Sequence, residues 1–184
     1  MAFVVVLDAC VLVPHPLFDT LLRVAHAGLY ECRWSQQILA DVERTLVERL
    51  SQPPDRARRR ISAMRDAFPH AEVEGHEQPI DAMRNDPKDR HVLAAAVRAG
   101  ASAVVTANLK DFPPAALQPY GVEPVHPDDF LLDLLDLDEP TVLQVLVEQS
   151  QAYLDPPVPL DRLLRQLVPT TPRFAAEVAA AVAR

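Results

Sequence analysis

The sequence predicts an α/β protein with a mainly parallel central sheet flanked by helices, followed by a C-terminal helical appendage. Three observations predict it. Short apolar runs of strand character alternate with stretches whose apolar residues recur at helical spacing, the pattern of strand–helix–strand units. Asp8 directly follows one such run, and Thr106, Asn108 and Asp111 follow another, so polar groups gather at strand carboxyl ends. From Pro127 onward the strand signals stop and Leu- and Val-rich helical spacing takes over. The expected organisation is one domain over residues 1–126 and a helical extension over 127–184, packed on that core.

The elements follow in order. Residues 3–7 (Phe-Val-Val-Val-Leu) read as a buried strand. Leu17, Leu21 and Val24 stand at i, i+4 and i+7, a helical stripe that Gly28 can end. Tyr30 to Trp34 reads as a short strand, and Ser35 is a plausible N-cap for a helix reaching about Leu50. Pro53 and Pro54 break the chain before an Arg-rich helix to about Phe68, and residues 72–74 suggest another short strand. A helix over about 87–99 ends at Gly100, and a strand over about 102–106 follows it. Pro113 and Pro114 open a turn or short helix, and Val122 to Val125 reads as the last strand. Prolines at 140, 156, 157, 159, 169 and 172 cut the remainder into three or four short helices.

Composition narrows the function classes. An apolar fraction of 49% suits a soluble globular protein. Its apolar runs fall far short of the ~20 residues of a membrane span, and Asp8 interrupts any signal-peptide pattern. Cys10 and Cys32 lack metal-ligand spacing and read as reduced thiols of a cytoplasmic protein. The formal net charge of −8 argues at first against a nucleic-acid partner. The imbalance is concentrated in the tail: residues 1–126 hold 14 basic and 16 acidic residues, whereas residues 127–184 hold 4 and 10. Between Val42 and Arg65 there are seven arginines against three acids.

The acids carry the chemistry. In an open α/β sheet, ligands bind at the carboxyl ends of the strands. Asp8 ends the first strand, Asp89 begins a helix, and Asp111 follows a later strand. Asp8 is also explained as a cap, and Asp86 before Pro87 has the look of an N-cap, with Asp89 at the reciprocal capping-box position. Asp89, however, shares a helix face with Val92, Leu93 and Ala96, which makes it the better ligand and Asp86 the better cap. Glu43 lies within the stripe Leu39, Val42, Leu46 and Leu50, so it is expected to face a site; a stripe edge or a pair with an arginine is the alternative. Like charges ~4 Å apart repel by roughly 4 kcal/mol at an effective dielectric near 20, so such a cluster needs a cation or a shifted pKa. Oxygen-only ligands favour Mg²⁺ or Mn²⁺ over zinc.

These residues sit in recognisable motifs: VVVLDACVLV with Asp8, QQILADVERTL with Glu43, DRHVLAAAVRAG with Asp89, and VVTANLKDF with Thr106, Asn108 and Asp111. Over residues 1–126 the chain resembles the PIN-domain ribonucleases, and within them the VapC-like toxins of bacterial toxin–antitoxin pairs. The resemblance implies a sheet with acids at its carboxyl edge, dependence on a divalent metal and cleavage of RNA. It carries the acidic set over to Asp8, Glu43, Asp89 and Asp111, with Thr106 and Asn108 as supporting polar groups. The mechanism so implied has Asp8 and Asp89 holding Mg²⁺ or Mn²⁺, Asp111 beside them or on a second ion, and Glu43 orienting or deprotonating water. Its partners are an RNA substrate and a cognate antitoxin, and it admits a homodimer.

Other readings remain beside this one. Arg44, Arg49, Arg58, Arg59 and Arg60 suit an RNA path flanking Glu43, or simply a solvated helix face. The six histidines form no H-x₃-H pair, and Cys10 reads as a small buried residue. A haloacid-dehalogenase-like phosphatase also places Asp after the first strand, but it needs an acid where Cys10 stands. A PIN-like scaffold that binds RNA or protein without cutting is the alternative from another class. Residues 127–155 hold eight acids and no Lys or Arg, a solvated negative face unsuited to phosphate. Such a face could narrow access to the cleft, dock a basic antitoxin segment, or merely solubilise.

Overall fold

The computed structural model describes residues 3–78, 80–153 and 158–183. Expectations that fall on residues 154–157 lie outside the described residues. In chain order the first elements are β1 (Val4–Leu7), α1 (Ala9–Leu12), α2 (Leu17–His26), β2 (Glu31–Ser35) and α3 (Gln36–Arg44). Helix α3 runs on through a π-type turn at Thr45–Arg49. Then come α4 (Pro54–Ala67), β3 (Glu72–Val73), α5 (Arg90–Ala99), β4 (Ala103–Val105), α6 (Pro114–Leu117) and β5 (Glu123–Val125). Short 3₁₀ turns occupy Ile80–Ala82, Pro87–Asp89, Leu109–Asp111 and Gln118–Tyr120. Helices α7 (Pro127–Leu137), α8 (Glu139–Ala152), α9 (Leu160–Leu167) and α10 (Pro172–Val182) complete the chain.

The contacts divide the chain into two units. The first comprises Phe3–Val13 and Glu31–Val125; the second comprises Pro14–Tyr30 and the residues from His126 onward.

The first unit is built on a five-stranded sheet of order β3-β2-β1-β4-β5, and every pairing is parallel. Parallel strands are covered on both faces, which explains why β1 is an unbroken apolar run rather than an alternating one. Val5, Val6 and Leu7 are fully buried, as are Val104 and Val105 of β4. Helix α5 supplies much of the cover: Val92, Leu93, Ala94, Ala95 and Ala96 are all buried. It ends where Gly100 adopts a left-handed φ of 63° and Ala101 N–H bonds back to the Ala96 carbonyl, a cap that glycine takes without strain. Ser35 closes β2 and caps α3, its Oγ accepting from Ile38 N–H at 3.1 Å.

One element is absent from the sequence reading, and one expectation needs correction. The turn of helix at α1 has no sequence signal, because four residues are too few to show a period. On α3 the buried stripe is Ile38, Leu39, Val42 and Leu46, whereas Leu50 is 53% exposed. The π-type turn adds a residue to the spiral and rotates Leu50 away from the stripe.

In the second unit α8 packs on α2, α7 and α9, and α10 packs on α7 and α9. Helix α2 buries Leu17, Leu21 and Val24, the stripe read from the sequence. Thr20 Oγ1 donates to Gln149 Oε1 at 2.9 Å, a buried polar tie between α2 and α8. Tyr30 stacks edge-on against Phe130 with ring centroids 4.9 Å apart. Helix α2 thus groups with the helices from His126 onward, although the chain places it between β1 and β2. No helix among the described residues is long and apolar enough to cross a membrane.

This grouping predicts what truncation does. Removing the chain from residue 127 onward strips the partners from the buried face of α2. At ~1.5–3 kcal/mol per buried large apolar side chain, the melting temperature should fall by about 10 °C or more. Scanning calorimetry of the truncated and full chains checks this; an unchanged transition would contradict it.

Candidate active site

The order of the sheet selects the place. From β1 the chain steps outward to β2 and β3, then crosses back to β4 on the other side of β1. The carboxyl ends of β1 and β4 therefore form the switch point at which open α/β sheets bind ligands. Leu7 pairs with Val105, so Asp8 and Thr106 leave the sheet side by side. Asp8 N–H donates to the Val105 carbonyl at 3.1 Å, and Thr106 N–H donates to Val125 at 3.0 Å.

The side chains then lock together. Thr106 Oγ1 donates to Asp8 Oδ2 at 2.8 Å and accepts from Asn108 N–H at 3.0 Å. Cys10 Sγ donates to the same Asp8 oxygen at 3.1 Å and accepts from Ala107 N–H at 3.2 Å. Two donors on Oδ2 fix the carboxylate plane and leave Oδ1 available to another ligand. Asp8 and Thr106 are both buried. Burial, and then the Asp8 charge, push the Cys10 thiol up to about 12, so it stays protonated and unreactive.

Asp86, Asp89 and Asp111 form the facing wall. Asp86 N–H donates to the Asp111 carbonyl at 3.1 Å, tying the two segments together. The Asp86 carboxylate accepts from Lys88 N–H at 3.1 Å and so caps the 3₁₀ turn. That turn delays the α-helix until Arg90, which puts Asp89 at its N-cap rather than at the third position of a capping box. Its side chain makes no capping hydrogen bond. The Asp89 side chain is 16% exposed, and its Oδ2 is buried without a hydrogen-bond partner. Asp111 is buried too; Lys88 Nζ lies 3.0 Å from its Oδ2 and 3.9 Å from Asp89 Oδ2. Burial raises the Asp89 carboxyl to about 6, the Asp8 charge adds to the rise, and Asp111 and Asp86 contribute further against the opposing Lys88. Hydrogen bonding to Asp111, with the charges of Asp89, Asp111 and Asp86, holds the Lys88 ammonium above its ordinary range.

Asp8, Asp89 and Asp111 thus share one electrostatic environment. Among the described residues no three His, Cys, Asp or Glu side chains stand at metal-holding distance. The donor set nevertheless fits a hard divalent cation. It is all oxygen, Asp89 Oδ2 is buried without a hydrogen-bond partner, and ionisation of Asp89 is opposed by burial and by the neighbouring carboxylates.

Glu43 is placed differently from the expectation of a core-facing acid. With Ile38 in the buried stripe and Leu50 out of it, Glu43 lies at the stripe's edge. Its side chain is 37% exposed, its nearest cation is Arg58 at 4.0 Å, and it lines a surface hollow with Ala40, Arg44, Val47, Glu48 and Pro54. Asn108 is exposed and meets the cluster through its backbone: its N–H donates to Thr106 Oγ1 and its carbonyl accepts from Asp111 N–H at 2.9 Å.

The arginines do not act as one set. Arg44 pairs with Asp41, and Arg58 with Asp55 at 2.6 Å. Arg49 and Arg59 are exposed and make no ion pair among the described residues. Arg60 corrects the surface-path expectation: its guanidinium donates to the carbonyls of Leu12 and Val13 at the end of α1, so it is partly buried structure.

Three participants were not anticipated from the sequence. Lys88, flanked by Asp86 and Asp89, had a local signal in that spacing. Cys10 had none beyond standing two residues after Asp8. His91 Nε2 lies 3.2 Å from Asp41 Oδ2 and joins α5 to α3. Burial opposes ionisation of Asp41, but the hydrogen bond and charge of His91, with Arg44, outweigh it and hold the carboxyl below its ordinary value.

Sequence comparison assigns the family. Residues 4–110 match the family model of the PIN domain, and residues 127–180 match that of the VapC50 C-terminal domain. The chain belongs to the PIN-domain family. A curated relative, "Putative ribonuclease VapC50" of Mycobacterium tuberculosis (strain ATCC 25618 / H37Rv), is 52% identical over 103 residues. The match covers 56% of this chain and 61% of the relative, so less than two thirds of the relative's length is spanned. No solved structure matches the chain.

Two predictions follow from the electrostatics and the packing. A raised Asp89 pKa means that the folded state binds more protons than the unfolded state between about pH 4 and 6, so the contribution of Asp89 to stability declines across that window as pH rises. Without metal, Asp89→Asn should therefore raise the melting temperature at pH 7.5 by about 2–4 °C, and the gain should vanish below about pH 4. Thermal melts across pH check this; a loss of stability at pH 7.5 would contradict it. Arg60→Gln should destabilise the fold by about 1–3 kcal/mol, because it withdraws a charged donor from two carbonyls. Denaturant unfolding reads that change.

Proposed function

We propose that the chain is a divalent-metal-dependent endoribonuclease that acts as the toxin of a toxin–antitoxin pair. The observation that carries this reading is the cluster Asp8, Asp89 and Asp111 at the β1–β4 switch point of a PIN domain, with an orphaned carboxylate oxygen inside it. PIN-domain VapC ribonucleases are generally divalent-metal dependent, and the oxygen-only donors support Mg²⁺ or Mn²⁺ here. Asp8 and Asp89 would hold the ion, with Asp111 beside them or on a second one. Such an ion, when bound, neutralises charge on the phosphate and lowers the pKa of a water.

The chain's own residues do the rest. Thr106 and Cys10 orient the Asp8 carboxylate, and Asp86 ties the Asp111 segment to the start of α5. Glu43 would accept the proton of the attacking water as its oxygen bonds to phosphorus and the P–O bond of the RNA breaks. Arg44, Arg49, Arg58 and Arg59, exposed along α3 and α4, would bind the RNA backbone as phosphate contacts without reading sequence. Free cysteines and the absence, among the described residues, of a membrane-spanning helix support a cytoplasmic site of action. A basic antitoxin segment would be the regulating partner. The lack of three acids at metal-holding distance favours a second reading, a PIN scaffold that binds RNA without cutting.

Cleavage assays separate the two. The full chain should cut RNA with Mn²⁺ or Mg²⁺ and stop in excess EDTA. Thr106→Val should cost about 10–100-fold, the usual effect of losing a group that orients a metal ligand, and Asp8→Asn should cost more. Expression in bacteria should arrest growth, with Glu43→Gln relieving the arrest at matched protein level. RNA binding without cleavage in any metal would establish the scaffold instead.

A further inference from the structure

Lys88 is unusual in its position. It lies in the turn just before α5, where the helix dipole disfavours a cation, and its side chain is 64% exposed. Helix electrostatics therefore do not explain why its ammonium turns inward. The carboxylates do: Nζ stands 3.0 Å from Asp111 Oδ2 and 3.9 Å from Asp89 Oδ2. The turn beneath it is fixed, because Asp86 receives Lys88 N–H and donates its own N–H to Asp111. The stem is a flexible four-carbon chain with open solvent on one side, free to leave when a better cation arrives.

We propose that Lys88 is a built-in counter-cation of this site, occupying the Asp89–Asp111 wall in the metal-free protein and competing with the divalent ion for the same oxygens. This rests on the reading of the acids as a cation site and adds a determinant of how tightly that site binds. A divalent ion entering the cluster must displace the ammonium or accept its repulsion, so the charge of Lys88 lowers metal affinity while it keeps the empty cluster together. The competition weakens with ionic strength, since the ammonium is exposed and screened. Once displaced, Lys88 is left at the rim of the site, unpaired and cationic.

The test is Mn²⁺ titration of the full chain, followed by water-proton relaxation with no RNA present, for wild type, Lys88→Met, Lys88→Arg and Asp89→Asn. Lys88→Met should bind Mn²⁺ about three- to tenfold more tightly, a gain that shrinks at high salt, while Lys88→Arg stays near wild type. In metal-free buffer Lys88→Met should melt below wild type, and saturating Mn²⁺ should close the gap. If wild type binds Mn²⁺, Asp89→Asn binds it weakly and Lys88→Met binds no more tightly than wild type, the counter-cation role is overturned and the metal site stands. If neither wild type nor Lys88→Met binds Mn²⁺, the metal reading of the acids fails, and the competition proposed for Lys88 fails with it.

Discussion

The parallel pairing of β1 with β4 is the constraint on which the site depends. These strands are distant in sequence, yet the register Leu7–Val105 delivers Asp8 and Thr106 to the same point on the rim. A slip of one residue in either strand would turn that strand's side chains to the other face of the sheet and part Asp8 from Thr106. Burial holds the register, because Val5, Val6, Leu7, Val104 and Val105 are all enclosed between layers. The 2.8 Å bond from Thr106 to Asp8 is thus a consequence of core packing as much as of local chemistry. Helix α5 packs on β1 and β4 and brings Asp89 to the same rim. The Asp86–Asp111 backbone bond adds the last wall.

That arrangement concentrates like charge where water is scarce, and the fold balances it in several ways. Donors aimed at one oxygen of Asp8 hold that carboxylate in orientation. Lys88 sits against Asp111 and approaches Asp89. Asp89 retains a raised pKa and an orphaned oxygen. Unrelieved electrostatic cost at one rim is common in functional sites, which keep groups that a purely structural core would replace. Here the remaining cost falls on Asp89, the acid that begins the buried face of α5.

Much of this was legible in the sequence. The strands and their order of appearance follow from the apolar runs, and the rim position of Asp8 and Asp111 follows from where those runs end. What was illegible depended on geometry that no window of sequence contains. The outward rotation of Leu50 comes from a π-type turn with no compositional mark, and the stripe centres instead on Ile38, Leu39, Val42 and Leu46, which leaves Glu43 at its edge. Arg60 looked like its exposed neighbours because its partners, Leu12 and Val13, lie nearly 50 positions away and are backbone carbonyls. Helix α2 has the right stripe, but nothing in the stripe says that α8 and the C-terminal helices fill it. The residue type of Lys88 was visible; that its ammonium turns toward carboxylates instead of solvent was not.

The central claim is that the β1–β4 junction, with the start of α5, forms one cation site. Crystals of the full chain soaked in Mn²⁺ and measured near the manganese absorption edge test it most directly. The account predicts an anomalous difference peak bonded to carboxylate oxygens of Asp8 and Asp89, with Asp111 adjoining. No peak at saturating Mn²⁺, or a fully occupied ion bound elsewhere while this cluster stays empty, would contradict it.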